Sequence, residues 1–393
     1  MTLARHPALL ATFLLFAPPA FASVSRQVGP TKTVEATRAK AEQGSAEAQA
    51  AVRYRKAADQ GDPDAQFVLG AMYEGGKGVQ QNLVEAAAWY RKAADQGSAW
   101  AQLSLGRMYR NGQGVQQDPA RAAAWYRKAA DQGSVEAQVN LGLLHYKGQG
   151  VRLDYSEAAR WYRKAADQGD ADARVKLGFM YSEGQGVPLN QVEAARWYQE
   201  AADQGDAGGQ LLLGFAYWKG EGVPQDSALP VAWYRKAADQ GNAAAQFHLG
   251  LSYSKGEGVP QDYAQAAAWY RMAGNQGDAS AQYALGRMYR DGTGVPLGEA
   301  EAIAWFRKAA DQGDADGQRA LGLSYFEGRG VPQDYVQAHK WTNLAGVTAS
   351  DELRFGYVYL RDAIAAKMTP EQIGEAQKLA REWKEAFDRR KKK

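Results

Sequence analysis

The sequence predicts an all-α chain, an α/α solenoid of eight 36-residue helix-turn-helix repeats closed by helical caps. Three observations carry this. Trp89, Trp125, Trp161, Trp197, Trp233, Trp269, Trp305 and Trp341 stand 36 residues apart. Gly78, Gly114, Gly150, Gly186, Gly222, Gly258, Gly294 and Gly330 keep the same period, each followed by valine. Within a period, apolar residues recur at helical spacing, as with Ala122, Trp125, Tyr126 and Ala129, and nothing implies a strand. Self-similarity at this length marks a repeat array, in which each unit buries its apolar face against its neighbours.

Residues 1–22 read as a secretory signal. Arg5 and His6 supply the basic start, Ala8 to Ala17 an apolar stretch, Pro18-Pro19 a break and Ala20-Phe21-Ala22 a cleavage site. The stretch is shorter than the roughly 20 residues that cross a bilayer. The expectation is an exported protein beginning at Ser23, periplasmic or secreted, with no stable membrane span after cleavage. Residues 23–43 form a leader, loose and then helical. Residues 44–60 are a truncated repeat: Gly44-Ser45-Ala46 opens like a unit, but Gly61 follows only 17 residues later. One continuous helix from about Ala46 to Asp59 should cap the array at this end.

Eight units then fill residues 61–348, divided as 61–96, 97–132, 133–168, 169–204, 205–240, 241–276, 277–312 and 313–348. The second shows the design. Gly97 ends the preceding helix, and Ser98 caps the next one, as Asp62, Asp170, Asp206 and Asn242 do elsewhere. Helix A carries Ala101, Leu105, Gly106 and Tyr109; Asn111 to Val115 is a glycine turn; Asp118 caps helix B, with Pro119 at its first position. Pro230, standing where other units have alanine, predicts a late start for that helix B. His145 replaces the tyrosine of the other seven units and reads as a substituted core position. Residues 349–388 form a C-terminal helical cap, a pair at about Ser350–Ala366 and Pro370–Phe387, with Thr369 and Gln372 as a capping box. Residues 389–393 are a basic, frayed tail.

The pattern A-x-x-x-L-G-x-x-Y-x-x-G-x-G-V followed by D-x-x-x-A-x-x-W-Y-x-K-A-A-x-x-G resembles the Sel-one-like repeat family, relatives of the tetratricopeptide repeats. Ala101 to Gly133 matches it throughout, with Leu105, Gly106, Tyr109, Gly112, Gly114, Asp118, Ala122, Trp125, Lys128 and Gly133 in place. The resemblance implies antiparallel helix pairs stacked into a right-handed superhelix, and adaptors that hold other proteins. Cysteine-rich secreted relatives carry a disulfide in each repeat and are linked to penicillin binding. This chain has no cysteine.

Composition narrows the function. Lys plus Arg total 47 against 44 for Asp plus Glu, so no basic face for nucleic acid is expected. With no cysteine and with His6, His145, His248 and His339 far apart, neither thiol chemistry nor a metal site is expected, and no cofactor. The repeated Gly-x-Gly-Val lacks the P-loop Lys-Ser/Thr and reads as a turn. Asp95, Asp131 and Asp167 recur once per unit, unlike a paired acid and base. The tryptophans read as packing, with Trp197→Ala more damaging than Trp341→Ala near the end. Arg127 and Lys128 at a helix end read as solvated.

Helix A separates two faces. Ala65, Gln66, Leu69, Gly70 and Tyr73 repeat from unit to unit, whereas the opposite side varies. The Ala71 register reads Ala71, Arg107, Leu143, Phe179, Phe215, Leu251, Arg287, Leu323. Leu143, Phe179, Phe215 and Leu251, flanked by Leu212 and Trp218 and bracketed by Arg107 and Arg287, therefore form the candidate groove for a protein or peptide partner. The alternative is cell-wall or glycan binding with Trp218 and Trp100 as stacking platforms. A third reading, implied by the cysteine-rich relatives, is a penicillin-recognising hydrolase.

Overall fold

The structure, a computed structural model, describes residues 33–348 and 351–391, with side chains for 46–347 and 354–391. The signal expected over residues 1–22 lies outside the described residues, as do the leader before Thr33 and the last two residues of the tail. The described residues form nineteen helices and no strand. They divide into two compact units, the first running to Gly209 and the second starting at Gln210.

In the first unit, α1 spans Thr33–Asp59 and is followed by helix pairs α2 (Pro63–Gly75) and α3 (Leu83–Asp95), α4 (Ala99–Asn111) and α5 (Pro119–Asp131), α6 (Val135–Lys147) and α7 (Tyr155–Asp167), and α8 (Ala171–Glu183) and α9 (Gln191–Asp203). The division falls in α10 (Ala207–Lys219). The second unit continues with α11 (Leu229–Asp239), the pairs α12 (Ala243–Lys255) and α13 (Tyr263–Asn275), α14 (Ala279–Asp291) and α15 (Glu299–Asp311), and α16 (Ala315–Glu327) and α17 (Tyr335–Thr348), then α18 (Asp351–Ala365) and α19 (Pro370–Lys391). Within each unit successive helices of the repeats pack on one another, and α19 packs back on α17, which is the α-solenoid class that the 36-residue period predicts.

The caps explain the repeated boundaries. Asp62 accepts from the Asp64 and Ala65 amides, Asp118 from Arg121, and Asn242 from Ala245. Helix α11 starts late, as Pro230 requires: Ala228 and Leu229 donate to Asp226 before the helix begins, and no side chain caps it. Thr369 and Gln372 exchange backbone-to-side-chain bonds of 2.9 and 3.3 Å at the head of α19. Two expectations change. Helix α1 begins at Thr33, well before Ala46, and α19 carries Arg389, Arg390 and Lys391 in its last turn, so that stretch of the tail is helical.

The core is built differently from a simple tryptophan ladder. Trp89, Trp161, Trp197 and Trp341 are buried, but Trp125, Trp233, Trp269 and Trp305 are only half-buried. In four repeats the ring that follows the tryptophan is as deep or deeper: Tyr90, Tyr126, Tyr162 and Phe306 are all at 1% exposure or less. Helix A makes room for it with a glycine. A Cβ on Gly106 would fall 2.6 Å from the Tyr126 ring, and Gly70, Gly142, Gly178, Gly214, Gly250 and Gly286 stand in the same way against their own rings. Neither the glycine nor the ring is exposed, and each exists for the other.

A helix A glutamine is tied both to the glutamine that ends its own repeat and to the helix B end of the preceding repeat. Gln132 Nε2 donates to Gln102 Oε1 at 2.8 Å, while Gln102 Nε2 donates to the Ala94 carbonyl at 3.1 Å. The same pair recurs as Gln96 with Gln66, Gln168 with Gln138, Gln276 with Gln246 and Gln312 with Gln282. The arginine two residues after the tryptophan register reaches the next helix A tyrosine: Arg55 donates to Tyr73, Arg271 to Tyr289, and likewise Arg163 to Tyr181, Arg235 to Tyr253 and Arg307 to Tyr325. Arg127 meets His145 instead at 3.2 Å, where burial and the guanidinium charge lower the imidazole pKa. The lysine folds back over its own indole, as Lys128 does 4.0 Å above Trp125. Arg127 and Lys128 remain exposed, so these contacts sit at the solvent edge of the helix end, as expected for charges there.

One cap carries a pH signature. Asp314 accepts from the Gly317 amide at 2.6 Å at the head of α16, yet burial raises its carboxyl to about 6, with Asp316 and Asp278 adding to the rise. A folded pKa above the ordinary carboxyl value near 3.9 means that the folded state binds the proton more tightly, so this stabilisation is present below that value and is lost as pH rises through about 6. Asp314→Asn keeps an acceptor at the cap and removes the charge. Its stability at pH 7.5 should exceed that of the wild type by about 1–2 kcal/mol, with no gain at pH 4. Urea unfolding at the two pH values checks this.

Candidate protein-interaction face

The eight residues expected to line the varying face of helix A occupy three kinds of environment. In the first unit, Arg107 on α4 is half-buried and held by Glu74, Nη2 to Oε1 at 2.9 Å. The same Glu74 accepts from the Tyr90 hydroxyl at 2.6 Å. Leu143 on α6 is half-buried and open to a partner. Phe179 on α8 is at 3% exposure, so it packs inside the fold and is removed from the face.

In the second unit, Leu212 at 9% exposure is likewise a packing residue. Phe215 is half-buried, edge-on to Tyr234 at 5.6 Å and to His248 at 4.5 Å. Trp218 is 37% exposed, Leu251 half-buried and Arg287 exposed. His248 enters from the neighbouring register, four residues after Ala244. Desolvation among these rings, helped by the Lys255 charge, pushes its imidazole down to about 4, so it stays neutral at physiological pH. A cavity of about 240 Å³ lies further along, lined by Arg290, Asp291, Glu299, Phe306, Leu323 and Glu327. It opens where Phe306 lacks a hydroxyl and Ala320 stands in the register of His248. Its ions are internally matched, Arg290 with Asp291 at 2.7 Å and Arg329 with Glu327 at 3.0 Å.

Sequence reasoning grouped the Ala71 register correctly as the varying one but missed the Glu74 register beside it, which decides where the buried Tyr hydroxyls go. Trp100, at 68% exposure, is the most exposed indole among the described residues. Ser252 and Lys255 have S-x-x-K spacing, but Lys255 turns to Glu257 at 3.4 Å, and no hydrogen bond joins it to Ser252 among the described residues. The described residues contain no group of three or more His, Cys, Asp or Glu able to hold a metal ion, and no helix long and apolar enough to cross a membrane.

Stacked helix pairs with a uniform packing side and a varying opposite side define a helical repeat protein. The Sel1 repeat matches residues 54–62, 63–98, 101–134, 135–170, 171–206, 207–242, 243–278, 279–314 and 315–346, and the chain belongs to that family. Its fold is similar to that of a Sel1 repeat protein from Oxalobacter formigenes, at 31% identity and a TM-score of 0.63, covering 89% of this chain and 99% of that one. A protective antigen of uropathogenic Escherichia coli displaying an SLR fold is 32% identical over 93% of this chain and 97% of its own, with a TM-score of 0.47. No curated protein matches the chain. Sel1 repeat folds commonly bind proteins, and their members are generally non-enzymatic scaffolds.

Proposed function

We propose that this chain is a non-catalytic scaffold, exported to the periplasm or beyond, that holds a protein partner on the A-helix face. The observation that carries the reading is the contrast within helix A. One side repeats Ala, Gln, Leu and Gly in contact with the core, while the other changes between alanine, arginine, leucine and phenylalanine along the array, with Arg107, Leu143 and Leu251 half-exposed and Arg287 exposed. Packing demands uniformity, and recognition demands difference. Leu143→Asp and Leu251→Asp place a charge on half-exposed positions without opening the core. Each should cut the yield of partner in affinity capture from the source cell by about tenfold while leaving the melting temperature nearly unchanged. Phe179 is unsuited to this test because its burial ties it to stability. Capture that is indifferent to both leucine variants would reject the face. Export rests on the n-region, apolar stretch and cleavage site at residues 1–22; N-terminal sequencing of protein from the periplasmic fraction should begin at Ser23. The exposed Trp100 favours glycan stacking as a second reading, which predicts that Trp100→Ala abolishes retention on peptidoglycan.

A further inference from the structure

The repeat supplies its own template for a ligand. In the first full repeat the Tyr90 ring lies on Gly70 and its hydroxyl donates to Glu74 Oε2 at 2.6 Å. That carboxylate also takes Arg107 Nη2, at 2.9 and 3.2 Å to its two oxygens. One repeat later, Tyr126 lies on Gly106 at the same depth, but the register of Glu74 now holds Arg110. The Tyr126 hydroxyl is buried and has no hydrogen-bond partner among the described residues. A buried hydroxyl left unpaired costs about 1–3 kcal/mol.

Arg110 is as poorly matched. Its Nη1 donates to Asn140 Oδ1 at 2.6 Å and its Nε to Asn111 Oδ1 at 3.4 Å, both neutral acceptors. No carboxylate lies within ion-pair distance of it among the described residues. Burial, with a smaller push from the Glu136 charge, raises the Tyr126 phenol to about 12 against the opposing charges of Arg110 and Arg107, so the phenol remains a proton donor at neutral pH. Donors therefore converge where the preceding repeat places a carboxylate, and the acceptor is missing. Elsewhere the same register satisfies its tyrosine within the chain, as Ser182 does for Tyr198 at 3.3 Å. Tyr162 is also unpartnered, but its register neighbour is Tyr146, which brings no positive charge.

We propose that Arg110, Tyr126 and Asn140 receive a glutamate or aspartate side chain from an acidic segment of a partner protein. The inference rests on the A face being the interaction face and names the chemistry that one part of it accepts. Arg110 exchanges the neutral Asn140 oxygen for the incoming carboxylate, a charge-assisted bond, and Tyr126 gains its acceptor. A side chain fits better than a chain terminus because the internal template, Glu74, is a glutamate side chain.

The test is fluorescence anisotropy of a labelled glutamate oligopeptide, acetylated and amidated at its ends so that only side chains carry charge, titrated with the full chain at low salt. Wild type should bind it and ignore a serine oligopeptide. Arg110→Glu installs the carboxylate internally, so binding should weaken by at least about tenfold while the melting temperature stays at or above that of wild type. Tyr126→Phe should fold and weaken binding severalfold. Arg53→Glu, the same charge change at an exposed site on α1, should leave binding unchanged. No retention by wild type, unchanged binding by Arg110→Glu, or an equal loss from Arg53→Glu would overturn the inference. The leucine variants decide the fate of the face itself separately.

Discussion

Trp161→Ala is expected to cost about 3–5 kcal/mol, the range for truncating a fully buried large ring. The indole is at 1% exposure in one apolar cluster with Ala129 and Ala130 of the preceding repeat and Ala137 and Leu141 of its own, with Arg127 5.6 Å above it. Its removal opens a void between two repeats and also frees the arginine that crosses the same seam. Trp125→Ala, at a half-buried position, should cost clearly less. Chemical denaturation of the two variants followed by circular dichroism checks the difference, and equal losses would mean that burial does not set the tryptophan contribution. The sequence alone favoured position along the array as the deciding variable, with Trp341 tolerant because it is near the end. Trp341 is buried at 3% and meets Trp383 of α19 at 5.8 Å, so the C-terminal cap removes that exemption.

Gly150→Ala is expected to be as damaging, for a backbone reason. Gly150 has φ +71° in the turn between α6 and α7, and an added Cβ would fall onto the Pro119 carbonyl and the Ala120 amide at the start of α5. The left-handed backbone costs a non-glycine residue about 1–3 kcal/mol, and overpacking adds about 1–3 kcal/mol more. The loss should be focused at the junction between repeats. Hydrogen exchange should then show α5 and α6 deprotected ahead of the rest of the first unit. Gly133→Ala is the comparison, because its added Cβ meets nothing within 4 Å. That variant bears the φ penalty alone and should lose about 1–3 kcal/mol.

Much of the fold was legible because each repeat is nearly a local object. The caps at Asp118 and Asn242, the delay before α11 caused by Pro230 and the Thr369–Gln372 box depend on residues within a few positions of one another. What the sequence hid lies between residues far apart in the chain. The Gln132–Gln102 bond spans 30 residues, and the contact of Gly150 with α5 spans about the same distance in the chain. Strict repetition of the 36-residue period made glycine and glutamine visible without saying what they touch. The Tyr beside most of the tryptophans was visible too, but only the depth of Gly106 under Tyr126 shows which ring leads. On the candidate face, register separated the varying side, yet helical angle alone could not tell half-exposed Leu143 from buried Phe179, which share one register.

Site-specific photo-crosslinking in the source cell tests the central claim most directly. A photoreactive phenylalanine is placed at position 143 or 251 on A helices, and at position 124 or 268, exposed alanines on B helices. The A-helix positions should yield covalent adducts with a partner protein, and the B-helix positions none. Adducts from positions 124 and 268, with none from 143 and 251, would show that recognition uses the other side of the repeats.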